Sequence, residues 1–295
     1  MEARALPVSS TAGDLISLTK PRLSTLVIIT TAGGLWLAPG AVAGPKALIT
    51  ILALAATVGA ANALNCYLER DSDKLMARTR NRPLPAGRLD PQVALWFGIS
   101  LAAVSLPVLY LAVNPLSGIL AAIAFFSYVL VYTPLKRRTS AAMLVGGVPG
   151  ALPPLIGWTA ATGRLEVPGF VLFAILYLWQ IPHFIAIALF RKEEYARAGI
   201  RVITLEKGDG LCRLYAVAHL VPLVATSVLP FTLGIAGVGY LLAAIALGAL
   251  FLGMGLYGFI RELGRAWARQ LFLVSLVYLT LLFAALVADG GRLGG

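Results

Sequence analysis

Nine stretches of this 295-residue chain run almost without interruption through apolar residues, at 24–42, 47–65, 92–113, 116–132, 141–160, 168–190, 214–232, 238–260 and 271–288. A helix rises about 1.5 Å per residue, so roughly 20 apolar residues match the hydrocarbon core of a bilayer. Inside lipid every backbone N–H and C=O must find a partner within the protein. Only helices and closed barrels achieve this, and continuous apolar runs without period-two alternation specify helices. The expected fold class is therefore all-α, a polytopic membrane bundle of nine transmembrane helices. Composition agrees: 59% of residues are hydrophobic and 13% charged, against about 25% charged in soluble domains. No composition shift divides the runs, so residues 24–288 read as a single transmembrane domain behind a short N-terminal segment, 1–23. The first run could imitate a secretory leader, but it is longer than a leader's apolar core and is read as the first membrane helix.

The net charge of +11 does not mark a nucleic-acid binder, because the basic residues occupy short segments between spans. Lys and Arg number three before the first span, six after the second, three after the fourth, six after the sixth and three after the eighth. Thus 21 of 24 fall on one side, leaving Lys46, Arg164 and Arg292 on the other. The positive-inside rule places the N-terminus and these loops in the cytoplasm. Cys66 and Cys212 stand far apart with no metal-ligand spacing and read as buried free thiols.

Topology asks for no carboxylates, yet eight of the 13 acidic residues lie in or beside two of the basic loops: Glu69, Asp71, Asp73, Asp90, Glu193, Glu194, Glu206 and Asp209. At the end of the second span Asn65, Glu69 and Asp73 recur at i, i+4 and i+8, one helical face. Such an oxygen-bearing column suits Mg²⁺, which takes one or two carboxylates and completes its octahedron with water and phosphate oxygens. Arg78 and Arg82 follow at the same spacing before Pro83 ends the helix. Asn65 still lies within the apolar run, where polar groups usually face a functional cavity. After the sixth span, Arg191 and Lys192 precede Glu193 and Glu194. Each loop follows the second helix of a four-helix set, which suggests a weak internal duplication with halves facing across a site. The chemistry such loops support is ionisation of an allylic diphosphate. Cations would neutralise the leaving group while an apolar pocket shelters the carbocation from water.

These loops resemble those of the UbiA superfamily of intramembrane prenyltransferases, which carries acidic motifs after the second and sixth of nine helices. Finer matches lie in Lys20-Pro21-Arg22, Asn65 to Gly87, Tyr132 to Thr139, Pro153-Pro154, Gly157-Trp158, and Trp179-Gln180-Ile181-Pro182-His183-Phe184 leading to Arg191 and Tyr195 to Ile200. They are similar to the branch that farnesylates protohaem IX. The resemblance implies farnesyl diphosphate and haem b as substrates, haem O as product and Mg²⁺ as cofactor. By the same resemblance Asn65, Glu69 and Asp73 hold Mg²⁺ and diphosphate, Glu194 holds a second cation, and Arg78, Arg82, Lys136, Arg191 and Lys192 bind the diphosphate. It also implies haem A synthase or oxidase-assembly proteins as partners and leaves self-association open. One departure is Ala142, where the family generally has asparagine.

His183, about two turns before Arg191, is the sharpest single candidate: an axial haem ligand or a base near the trapped cation. Its alternative is a histidine bonded between helices, the reading preferred for His219. Trp179, Tyr132 and Tyr195 could line a pocket or belong to an interfacial belt. Two rival functions remain. A polyprenyl transfer to an aromatic acceptor such as 4-hydroxybenzoate would use the same loops. A transporter would need ionisable residues through mid-span, which are scarce here.

Overall fold

The computed structural model of the protein describes residues 11–40 and 42–290, so Arg4 and Arg292 of the charge tally lie outside the described residues. Among these residues the fold is entirely helical. Eight helices are long and apolar enough to cross a membrane: Gly44–Asp73, Pro91–Val113, Pro115–Leu135, Ala142–Thr162, Val167–Phe190, Gly208–Thr232, Val238–Ile260 and Arg265–Asp289. Preceding them, Pro21–Leu37 has 17 residues, the lower limit for a span. These nine follow the apolar runs in order and are called the first to ninth spans. A short helix, Thr11–Leu18, lies before them.

Proline sets most of the starts. It occupies the first positions of the first, second, third, fourth and sixth spans, where its missing N–H and fixed φ cost the helix nothing. Asp90 and Asn114 cap the third and fourth spans by accepting from the Gln92 and Ser117 amides at 2.7 and 2.8 Å. The second span departs most from its apolar run. It holds 30 residues, about 45 Å of helix, against roughly 30 Å of hydrocarbon. Hydropathy fails near Asn65, but the backbone ladder continues to Asp73 and carries Glu69 and Asp73 beyond the apolar zone. The third and fourth spans end in wider π turns, Leu109–Val113 and Ser127–Tyr132.

The first and fifth spans cross almost backbone to backbone. A Cβ on Gly157 would overlap the Thr31 carbonyl and stand 3.0 Å from the Leu35 amide; one on Gly34 would overlap Pro154. Small residues at such crossings permit the close approach that replaces hydrophobic drive in lipid. Hydroxyls bond the remaining helices: Thr57 to Ser105 at 2.9 Å, Ser117 with Thr159 at 3.0 Å, and Ser227 with Tyr278 at 2.6 Å. The ninth span closes the bundle, packing on the sixth and eighth and touching the first. The basic loops share one face, where bonds cross from loop to loop. Arg88 pairs with Asp14, Arg201 N–H reaches the Lys136 carbonyl at 3.0 Å, and Arg213 reaches the Leu263 carbonyl at 3.2 Å.

Candidate active site

The column at the end of the second span is buried and charge-paired, position by position. Asn65 is 1% exposed; its Oδ1 accepts from Lys20 Nζ at 2.7 Å and its Nδ2 donates to the Thr133 hydroxyl at 3.2 Å. Glu69 pairs with Lys136. Asp73, also 1% exposed, takes Arg82 at 2.7 Å. The π turn of the fourth span sets the Tyr128 carbonyl against Thr133, whose backbone N–H and hydroxyl both donate to it, the hydroxyl at 2.8 Å; that same hydroxyl accepts from Asn65. Lys136 lies just past that span, its ammonium 4.7 Å from the centre of the Tyr132 ring. Burial works to lower its pKa, but the Tyr132 and Glu69 oxygens outweigh burial and hold it above the ordinary lysine range.

Both acidic loops converge. Met76, three residues after Asp73, is buried against Ala198 and Ile200 of the loop after the sixth span, with Tyr195 and Val202 alongside. The fourth-span loop joins them. Ser140 Oγ donates to Glu206 at 2.5 Å, and this bond holds the Glu206 carboxyl below its usual range. Between the three loops lies a cavity of about 180 Å³. Its polar rim carries Arg78, Lys136, Arg201, Tyr132, Tyr195 and Ser140, and its apolar wall includes Phe184, Ile187 and Met143. No carboxylate among the described residues lines it. Burial pushes the Tyr195 hydroxyl up despite nearby Arg78, so it serves as a neutral hydrogen-bonding group. Arg78 has no ion-pair or hydrogen-bond partner among the described residues. A positive, partly apolar hollow of this kind suits an anionic headgroup on a hydrocarbon chain.

Other expected residues sit beside this cavity rather than in its wall. Arg191 forks onto Glu194 at 2.9 and 3.1 Å, and Lys192 pairs with Asp209 at 2.7 Å. His183 lies deeper, 8% exposed, its Nδ1 2.7 Å from Ser275 Oγ and its ring stacked at 4.6 Å on Trp179. Trp179 belongs to that packing and donates to the Ser275 carbonyl at 2.7 Å; it is not a cavity residue. Both cysteines are buried free thiols. Sequence reading gave no site role to Lys20, Arg201 or Ser140. Arg201 and Ser140 follow the matched segments closely, and Lys20 stands in one, but only tertiary contacts direct them inward. Ala142 is buried and lines the cavity.

The donor set can be tested against Mg²⁺ from its chemistry. Among the described residues no three His, Cys, Asp or Glu side chains gather into a cage. A cation carried by a diphosphate asks for less, since it needs one or two carboxylates and takes its other oxygens from phosphate and water. Glu69, Asp73 and the Asn65 amide oxygen, on one face of one helix, are donors of the chemistry such a cation takes.

A family model described as the UbiA prenyltransferase family matches residues 26–286. Protoheme IX farnesyltransferase of Myxococcus xanthus (strain DK1622) is 64% identical over 98% of this chain and 98% of its own length. The enzyme of that name from Sorangium cellulosum (strain So ce56) is 53% identical over 89% and 99%. Among solved structures, digeranylgeranylglyceryl phosphate synthase superposes with a TM-score of 0.82 at 19% identity, covering 95% of this chain and 98% of that one. A UbiA homologue from Archaeoglobus fulgidus bound to GPP and Mg²⁺ gives 0.66 at 14%, covering 92% and 99%. The fold, the span order and the full-length match converge: the chain belongs to the UbiA prenyltransferase family.

Proposed function

We propose that the protein transfers the farnesyl group of farnesyl diphosphate to a vinyl group of haem b, with addition of water, to give haem O. The observation that carries this reading is the meeting of three basic loops around a cavity with a cationic rim and an apolar wall. The near full-length likeness to protoheme IX farnesyltransferases supports the choice of acceptor.

Arg78 and Lys136 meet the diphosphate oxygens at the rim, Arg78 without first giving up a protein partner. Arg82, Arg191 and Lys192 surround it, each now balanced by a carboxylate. Asn65, Glu69 and Asp73 would hold Mg²⁺, with Glu194 offered to a second ion, and bound Mg²⁺ neutralises charge on the departing diphosphate. As the C1–O bond breaks, electrons pass to the diphosphate and the chain keeps an allylic cation. The terminal carbon of the haem vinyl attacks C1, the resulting cation is delocalised into the porphyrin, and water adds to it with loss of a proton. The cavity matches the diphosphate and the reacting end of the chain, while the rest of the isoprenoid lies against apolar span surfaces. Haem packs deeper, where His183 stands near the acceptor. The loops face the cytoplasm of a bacterial inner membrane, and product passes to haem A synthase or an oxidase-assembly protein.

The test is direct. Purified protein, haem b, farnesyl diphosphate and Mg²⁺ should yield haem O by mass. Prenylation of 4-hydroxybenzoate with haem untouched would replace this reading with the aromatic-acceptor one.

A further inference from the structure

Lys20 has the most unusual backbone near the site. Its φ and ψ are 50° and 59°, the left-handed region, although it carries a side chain and precedes Pro21. Both facts oppose that conformation. Residues held this way persist only when their surroundings over-determine them, and they gather at functional sites. The surroundings here are specific. The helix Thr11–Leu18 is anchored by Asp14 on Arg88 at 3.2 Å and by Leu18, 1% exposed, packed with Ala63, Cys66 and Leu84. The first span begins at Pro21, and Ser24 Oγ bonds back to the Thr19 carbonyl at 2.9 Å. The chain must reverse between these two anchors, and the left-handed residue makes the reversal. Its consequence is that Nζ enters the bundle and meets Asn65 Oδ1 at 2.7 Å, with Glu69, Arg82 and Lys136 close enough to act on its charge.

That oxygen is the one Asn65 would offer to a divalent cation. The ammonium and a metal ion compete for it, since two cations on one amide oxygen repel strongly in a half-buried site. Once displaced, a lysine four carbons long remains within reach of whatever anion the metal carries. Resting on the metal–diphosphate reading above, we propose that Lys20 is an exchanging ligand of the site: it holds Asn65 Oδ1 until the metal arrives with diphosphate, then moves its ammonium to a diphosphate oxygen. The site would thereby take metal poorly by itself and well in company with diphosphate.

The exchange predicts opposite signs in two binding measurements, which a merely structural lysine would not produce. Mn²⁺ binding to the full-length protein in detergent would be followed by electron paramagnetic resonance, with and without inorganic pyrophosphate. K20M removes the competing charge and keeps most of the stem, so affinity for Mn²⁺ alone should rise, on the order of tenfold. Pyrophosphate binding in the presence of Mn²⁺ should fall by a similar factor. K20R restores a cation and should recover pyrophosphate binding. Thermal unfolding of each variant separates these effects from a loss of fold, and an unfolded K20M would leave K20R to be judged on the same two affinities. Unchanged or weakened Mn²⁺ affinity in a folded K20M, with wild type binding normally, overturns the Lys20 assignment alone. A wild-type protein that binds neither Mn²⁺ nor its pyrophosphate complex overturns the metal–diphosphate reading and the exchange with it.

Discussion

Breaking the Asp73–Arg82 pair should produce losses of stability that do not add. Asp73 is almost wholly enclosed, with 1% of its side chain exposed, while Arg82 retains 28%. Removing one member of a buried pair costs about 3–5 kcal/mol, because the other charge is left without a partner. Here the Arg82 side faces some water, which would enter beside a shorter residue and reduce the cost to about 2–3 kcal/mol for Arg82→Met. Asp73→Asn keeps an acceptor for the guanidinium and removes only the charge, costing about 1 kcal/mol. In the double variant no carboxylate is stranded, so the total should not exceed that of Arg82→Met alone, a coupling of about 1–2 kcal/mol. Thermal unfolding in detergent with a chelator present measures this without interference from metal. Turnover should follow a different rule, since every variant lacking Asp73 loses a carboxylate charge proposed to hold the metal and should be inactive whatever its stability. Fully additive stability losses would mean that the 2.7 Å contact carries no energy, and the charge-paired column would have to be abandoned.

Arg78→Met should leave unfolding within about 0.5 kcal/mol, because the guanidinium has no ion-pair or hydrogen-bond partner among the described residues, yet raise the KM for farnesyl diphosphate at least about tenfold; steady-state kinetics and a melting curve decide it. Gly157→Ala should destabilise by at least the roughly 1–3 kcal/mol of an overpacked core, since its Cβ meets backbone that cannot step aside. Gly253→Ala, whose Cβ would meet nothing within 4 Å, should be neutral or slightly stabilising, and equal melting points for the two would refute the close crossing. Ser275→Ala should cost about 1 kcal/mol through the lost bond to His183 and lower turnover with haem b while leaving the KM for farnesyl diphosphate unchanged.

What the sequence made legible follows from the bilayer. A span must satisfy its own backbone, so the apolar runs translate into helices with little help from tertiary context, eight of them among the described residues long and apolar enough to cross a membrane. The alternation of Lys and Arg then assigns the loops to faces, and bonds such as Arg201 to Lys136 and Arg213 to Leu263 join the basic loops. The i, i+4, i+8 column was equally readable, because the helix runs unbroken through Asp73. Pairing was not. Lys20 is 45 residues from Asn65 and Lys136 is 67 from Glu69, and nothing local selects those partners from a surplus of cations. The Arg191–Glu194 pair at i, i+3 lies within local reach, on one turn of chain. The π turn at Ser127–Tyr132 leaves no periodic trace either, though it decides where Thr133 points.

That surplus of cations also predicts that these acidic side chains take metal poorly by themselves. Glu69, Asp73, Glu194 and Asp209 each hold a lysine or arginine within ion-pair distance, so an incoming divalent cation must displace charges already in place. A diphosphate reverses the sign of the problem, because each displaced cation then gains a phosphate oxygen and so does Arg78, which has no ion-pair partner among the described residues. Metal and diphosphate should consequently bind with strong positive coupling, and by linkage each must raise the affinity of the other by the same factor. Titrating Mn²⁺ at several pyrophosphate concentrations measures that factor. A value near one would mean that the acids and bases of this face neutralise each other for stability alone, and that the cavity between them has no part in ionising a diphosphate.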